Sequence, residues 1–157
     1  MPVRVEDRQS AVPVDIALLA GAAEATLRAE GAQDLEVSVV VLSDAELHAL
    51  NRRHLGHDYP TDVISFPLRA PDDPDPLLGE VCLSAERARE EAEARGLALG
   101  EELCRYVVHG CLHLLGWDDR DPRSRRRMHA RQEAILRAYL EQTGAGREAR
   151  PRQRRSP

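Results

Sequence analysis

Apolar positions change their period several times along the chain, and each change marks a new element. Val3 and Val5 alternate with Arg4 and Glu6, which predicts a short first strand. Pro13 is expected to open a helix in which Ile16, Leu19, Ala20, Ala23 and Leu27 line one buried face, with Gly31 closing it. Leu35 to Leu42 is apolar and β-branched, the composition of a central strand. Ser43-Asp44-Ala45-Glu46 has the form of a capping box, so a helix should follow through Leu47 and Leu50 to about His54, ended by Gly56. A polar loop over 57–62 leads into a short strand at Val63–Phe66. The proline- and aspartate-rich stretch 69–76 is unsuited to regular structure. Gly79–Leu83 reads as a fourth strand, and Ser84 caps a helix running to about Arg95. Gly96 and Gly100 punctuate the chain before a helix over Glu101–Leu115. Asp121-Pro122 starts a last helix, which carries Met128, Ile135, Leu136 and Leu140 to Gly144.

Four short strands among five helices, with no repeating strand–helix unit, predict an α+β fold. The expected form is a small mixed four-stranded sheet packed with about five helices. No internal repeat or second domain is visible. Residues 1–143 are therefore expected to make one domain, and 144–157 an arginine-rich, disordered tail. The 157 residues suffice to bury roughly two-thirds of the unfolded surface. Aromatics make up only 3%, so the core must rest on Leu, Val, Ala and Ile. No apolar run approaches a membrane span, and the N-terminal residues lack a signal-peptide core, so a cytoplasmic location is expected. Cys82, Cys104 and Cys111 form no CxxC pair and read as reduced, buried thiols.

Candidate chemistry is concentrated in His109-Gly110-Cys111-Leu112-His113-Leu114-Leu115-Gly116-Trp117-Asp118-Asp119. On a helix His109 and His113 share a face one turn apart. Gly116 can end that helix in a left-handed turn and bring Asp119 round as a third metal ligand, with Asp118 as its rival. Three protein ligands leave one position for water, the arrangement of a catalytic zinc. This is the spacing of the long zincin signature, but Gly110 stands where those peptidases carry their glutamate base. Cys111 points about 200° round the helix from His109 and is not placed as a ligand. Net charge is −5, yet its distribution is uneven. Residues 1–117 carry 10 Arg against 21 acidic groups, whereas 118–157 carry 12 Arg against 6. Basic charge thus gathers just after the motif, where a phosphate-bearing substrate would profit from it.

Four segments in one order carry a resemblance: Leu50-Asn51-Arg52-Arg53-His54, Pro60-Thr61-Asp62-Val63-Ile64-Ser65-Phe66-Pro67, Gly79-Glu80-Val81-Cys82-Leu83-Ser84, and the histidine motif itself. Together they resemble the YbeY family, bacterial metal-dependent endoribonucleases, over about Val3 to Leu140. The resemblance implies an α+β fold and one zinc ion per chain held by the histidine motif. It further implies single-strand endoribonuclease activity, a part in 16S rRNA 3′-end maturation, and a part in ribosome quality control. The partners implied are single-stranded rRNA and the ribosome or its small subunit. Carried over residue by residue, His109 and His113 match the first two ligands, while Asp119 replaces the usual histidine. Trp117 stands for the usual tyrosine, and Leu55 for an arginine found in several members.

Two histidines and a carboxylate are an established catalytic zinc set, so Asp119 does not abolish the site. The expected metal ligands are His109, His113 and Asp119, with His109 and His113 acting in catalysis. Arg52, Arg53, Arg123 and Arg126 are the candidates for holding substrate phosphates. The general base is not assigned. Thr61, Asp62 and Ser65 are expected to shape turn and strand entry. The rival readings are a zinc peptidase, on spacing alone, and a ribosome-assembly factor whose metal is structural.

Overall fold

The computed structural model describes residues 3–55, 62–70 and 72–144. The expected helix end at Gly56, the loop over 57–61 and the tail from 145 lie outside the described residues. Among the described residues nine elements follow in order. They are β1 (Val3–Asp7), α1 (Ile16–Ala29), β2 (Glu36–Leu42), α2 (Asp44–Leu55), β3 (Val63–Pro67), β4 (Leu77–Ser84), α3 (Ala85–Arg95), α4 (Leu99–Leu114) and α5 (Pro122–Thr143).

The sheet order is β1-β2-β4-β3. β1 runs parallel to β2 and β2 to β4, while β3 returns antiparallel along the edge of β4. The fold is the expected α+β arrangement of a mixed four-stranded sheet with helices. Period-2 alternation sorts the strand residues between two faces. Val37, Val39 and Val41 of β2, with Val81 and Leu83 of β4, enter the main core beside α1, α3, α4 and α5. Val40 and Leu42, with Ile64 and Cys82, face Leu47 and Leu50 of α2 in a smaller cluster. Both faces of the central strands are covered, which is why Leu35–Leu42 reads as an almost unbroken apolar run.

Two expected boundaries shift for local reasons. Pro13 does not open the first helix. Asp15 does, its carboxylate accepting the Leu18 N–H at 3.1 Å as an N-cap. Gly100 does not punctuate either. It lies in the first turn of α4, where a Cβ would come within 2.9 Å of Leu18 Cδ2, so glycine there lets α1 approach. The true break is Gly96, the left-handed cap of α3 at φ 68°.

α4 is the central helix, packed against the sheet on one side and against α1, α3 and α5 on others. It lies close against the sheet at Gly110. A Cβ there would lie 2.5 Å from Val81 Cγ1 and 3.2 Å from Ser65 Oγ. The Ser65 hydroxyl donates to the Gly110 carbonyl at 2.9 Å, tying β3 to α4 across the same gap. Gly110 is therefore a packing requirement. The absent glutamate noted in the sequence has no space at this position.

The three cysteines are free and buried. Burial pushes each thiol up to about 12, which keeps them protonated at neutral pH. Cys111 is fully buried in the main core, away from the side of α4 that carries His109 and His113.

Replacing Gly110 by alanine forces a methyl against Val81. Gly110→Ala is expected to lower unfolding stability by about 1–3 kcal/mol, the usual cost of overpacking. The check is a lower urea midpoint at unchanged slope. An unshifted midpoint would mean that α4 retreats from β4 without cost.

Candidate metal centre

α4 presents His109 and His113 one turn apart on its solvent-facing side, and the turn after the helix supplies the third donor. That turn is a Schellman motif. Leu115 is the C-cap, Gly116 has φ 102°, the Gly116 N–H returns to His113 O at 3.1 Å, and the Trp117 N–H to Leu112 O at 3.0 Å. Only glycine adopts that φ without strain. The reversal brings Asp119 back over the helix end. Its Oδ2 lies 3.6 Å from His113 Nε2 and 4.0 Å from His109 Nε2. All three donors fall within 4.8 Å of one another, the sole such set among the described residues. Asp118, the rival, instead accepts the Arg120 N–H at 3.2 Å.

Both rings are oriented from behind. His109 Nδ1 lies 2.7 Å from Gln132 Oε1, and His113 Nδ1 lies 3.1 Å from the Trp117 carbonyl. Carbonyl oxygens can only accept, so each Nδ1 must carry the proton and each Nε2 lone pair is left facing Asp119. The Gln132 amide cannot flip, because its Nε2 donates to Glu133 Oε2 at 3.0 Å. Glu133 in turn accepts from Arg105 Nε and Nη2, at 2.8 and 3.0 Å. Arg105 is 9% exposed and also meets Glu101 and Glu102. A continuous chain thus runs from Arg105 through Glu133 and Gln132 to His109. Burial raises the Glu133 carboxyl, but hydrogen bonds from Arg105 and Gln132 outweigh it and hold the group below its ordinary value.

Burial is the largest influence on His109 and lowers its pKa below 6.5, although the Gln132 hydrogen bond pulls the other way. The ring is thereby kept neutral, as a metal ligand must be. A tetrahedral zinc with bonds of about 2.0–2.1 Å separates its donors by roughly 3.3 Å. The observed 3.6 and 4.0 Å need only a small contraction. The donor set and the ring orientations fit a divalent ion.

The turn is anchored on both flanks. Trp117 Nε1 donates to Glu30 Oε1 at 2.8 Å, and Glu30 Oε2 accepts from Arg131 Nε at 2.7 Å. Arg131 is thus a structural member of the arginine block. Arg127 lines a cavity of about 280 Å³ with Gly116, Trp117, Asp118 and Ser124. The four arginines expected to hold phosphate are all exposed. Arg123 and Arg126 lie on the first turns of α5, and Arg52 and Arg53 near the end of α2. His129 is exposed and offers no donor to the centre.

Gln132 escaped the sequence reading. Its signal was a polar residue in the buried series Met128, Gln132, Ile135, Leu136 and Tyr139. Such a residue needs a partner, and the partner is His109.

Gln132→Ala should weaken metal binding by about 10–100-fold, the usual effect of removing a ligand's supporting hydrogen bond. Competition titration with a chromophoric chelator reads this, and an unchanged constant would deny Gln132 the orienting part. In the metal-free protein, unfolded chains take up a proton at His109 near pH 6.5, whereas folded chains do so only at lower pH. Stability should therefore fall as pH drops from about 6.5 through the folded pKa, and then level off as regards this group. Denaturant midpoints compared with those of His109→Gln check the sign.

The profile of the family described as Endoribonuclease YbeY matches residues 4–140. A protein named endoribonuclease YbeY from Anaeromyxobacter sp. is 43% identical over 133 residues, covering 81% of this chain and 69% of that protein. Its namesake from Geobacter sulfurreducens is 40% identical over 150 residues, covering 92% and 99%. The solution structure of a Thermotoga maritima protein matches with a TM-score of 0.64 and 25% identity, over 91% and 92% of the two chains. The match spans all four strands and the histidine helix at about 40% identity to full-length relatives, so this chain belongs to the endoribonuclease YbeY family.

Proposed function

We propose that this protein is a metal-dependent endoribonuclease that cleaves single-stranded RNA in the maturation of the 16S rRNA 3′ end and in ribosome quality control. Its site of action would be the cytoplasm, on the small ribosomal subunit or its precursor. One zinc ion would be held by His109, His113 and Asp119. The observation that carries the reading is the convergence of these three donors, with both imidazoles oriented through Nδ1, in a chain of an endoribonuclease family.

A zinc ion bound there supplies a Lewis acid beside the scissile phosphodiester. His109 and His113 provide neutral donors, while Asp119 adds a negative charge that moves the preference toward harder ions. The site is open on one side, with the histidine side chains 27% and 30% exposed and Asp119 42%, so a polymer can reach it. Arg127 beside the turn, with Arg123 and Arg126 on the same helix and Arg52 and Arg53 on α2, would hold phosphates and stabilise charge developing on them. A peptidase reading loses ground because Gly110 packs on Val81 and leaves no place for a helix glutamate.

The test uses purified protein, a single-stranded RNA spanning the 16S 3′ end, and chelation followed by zinc restoration. Cleavage should fall by about 100-fold or more in His113→Ala and Asp119→Asn, since Lewis-acid stabilisation is worth several kcal/mol. Zinc should restore the chelated wild type and leave both variants inactive. Unchanged cleavage after chelation would overturn the metallonuclease reading. Loss of fold on chelation, without cleavage by the holoprotein, would make the metal structural.

A further inference from the structure

A further cavity lies beside His109. It has a volume of about 290 Å³, and its walls include Asp62, Glu91, Glu102, Tyr106, His109 and Gln132. His109 and Gln132 belong to the metal centre as well, so whatever fills this space sits against that centre.

Tyr106 brings a buried polar atom to the wall of this space. It is 5% exposed, and its hydroxyl has no hydrogen-bond partner among the described residues. A buried hydroxyl left unpaired carries an uncompensated desolvation cost. A ligand that satisfies it recovers that cost.

The charges define what the ligand must offer. Glu102 has both oxygens engaged, with Arg105 and with Arg95. Arg105 is shared among Glu101, Glu102 and Glu133. Three carboxylates, Asp62, Glu91 and Glu102, line the cavity against two guanidinium groups, Arg95 and Arg105, both of which are paired with Glu102, so the lining favours hydrogen-bond donors over a phosphate. A bare cation does not fit. Asp62, Glu91 and Glu102 do not converge as a metal set, the sole such set among the described residues being His109, His113 and Asp119. The volume is at the small end of ligand-sized cavities, which start near 300 Å³. It has room for one unstacked base and none for a base pair.

We infer that this cavity receives the nucleobase next to the cleaved phosphodiester and selects bases carrying an amino group and a carbonyl on one edge, guanine or cytosine. The inference rests on the endoribonuclease reading and deepens it. Carboxylates accept from the amino group, as acidic side chains do from cytosine N4. The Tyr106 hydroxyl donates to the neighbouring carbonyl. Uracil turns two carbonyls toward the acids and is disfavoured, and adenine lacks a carbonyl for Tyr106. Insertion requires the base to leave its stack, which single-stranded RNA permits at least cost.

The experiment has two arms, both on the full chain. In the first, the zinc-loaded protein cleaves a randomised single-stranded RNA and the new ends are sequenced. Guanine and cytosine should be enriched at one flanking position, and Tyr106→Phe should reduce that enrichment by about 2–10-fold, the worth of one hydrogen bond. Asp62→Asn should admit uracil. In the second arm, guanosine, cytidine and uridine are titrated into chelated protein and followed by NMR at His109 and Tyr106. Guanosine and cytidine should shift both residues, and uridine neither. Tyr106→Phe should fold at least as stably as wild type, because it removes an unpaired group, and should lose the discrimination. No base preference in the wild type, a preference unchanged in Tyr106→Phe, or shifts produced by magnesium and not by nucleosides would each overturn the proposal. If no RNA is cleaved while guanosine still binds, the endoribonuclease reading fails and the base pocket stands.

Discussion

The close contact between Gly110 and Val81 is the constraint on which the site depends. A helix normally stands off a sheet by the length of its side chains, but here one position has no side chain and the backbone settles against β4. The Ser65 hydroxyl then reaches the Gly110 carbonyl directly. This locks the rotation of α4 about its own axis. Cys111 and Leu112 are directed into the core, and His109 and His113 are directed out of it. Position 110, which a metallopeptidase would devote to a base, is used here for packing.

From that fixed helix the two histidines are oriented by different means. His113 is held by the consequence of a helix ending. The left-handed Gly116 folds the chain back, and the carbonyl of Trp117 meets Nδ1. His109 is held from a distance by a buried polar chain that begins at Arg105 and ends at the Gln132 amide. The first device is local and costs little. The second buries an arginine and several carboxylates, which is worthwhile only where every group is paired. The same chain that orients His109 builds one wall of the acidic cavity beside it. His109 and the cavity are therefore parts of one polar network.

Much of the fold could be read along the chain because the pattern, caps and turns agree with one another. Ser84 and Asp121 act as the N-caps that their positions suggested, and Gly96 and Gly144 close their helices in the left-handed region. The misreadings share a cause. Pro13 and Gly100 were given their usual local meanings, whereas Asp15 supplies the cap and Gly100 serves contact with Leu18. Neither the available acceptor nor the approaching helix can be seen from spacing.

The sequence by itself determined the order and type of the elements and the trio His109, His113 and Asp119. Helical period and the glycine turn act within a dozen residues, so their geometry is local. Tertiary structure alone decided what holds His109 from behind and what packs against α4. Gln132 lies 23 residues from His109, Arg105 is 28 from Glu133, and Ser65 is 45 from Gly110. Those pairings exist because α5 and β3 pack on α4, and no periodicity within a single element encodes them. The unpaired hydroxyl of Tyr106 belongs to the same class. A tyrosine on a buried helix face is ordinary in sequence, and only the packing around it reveals that its oxygen has been left without a partner.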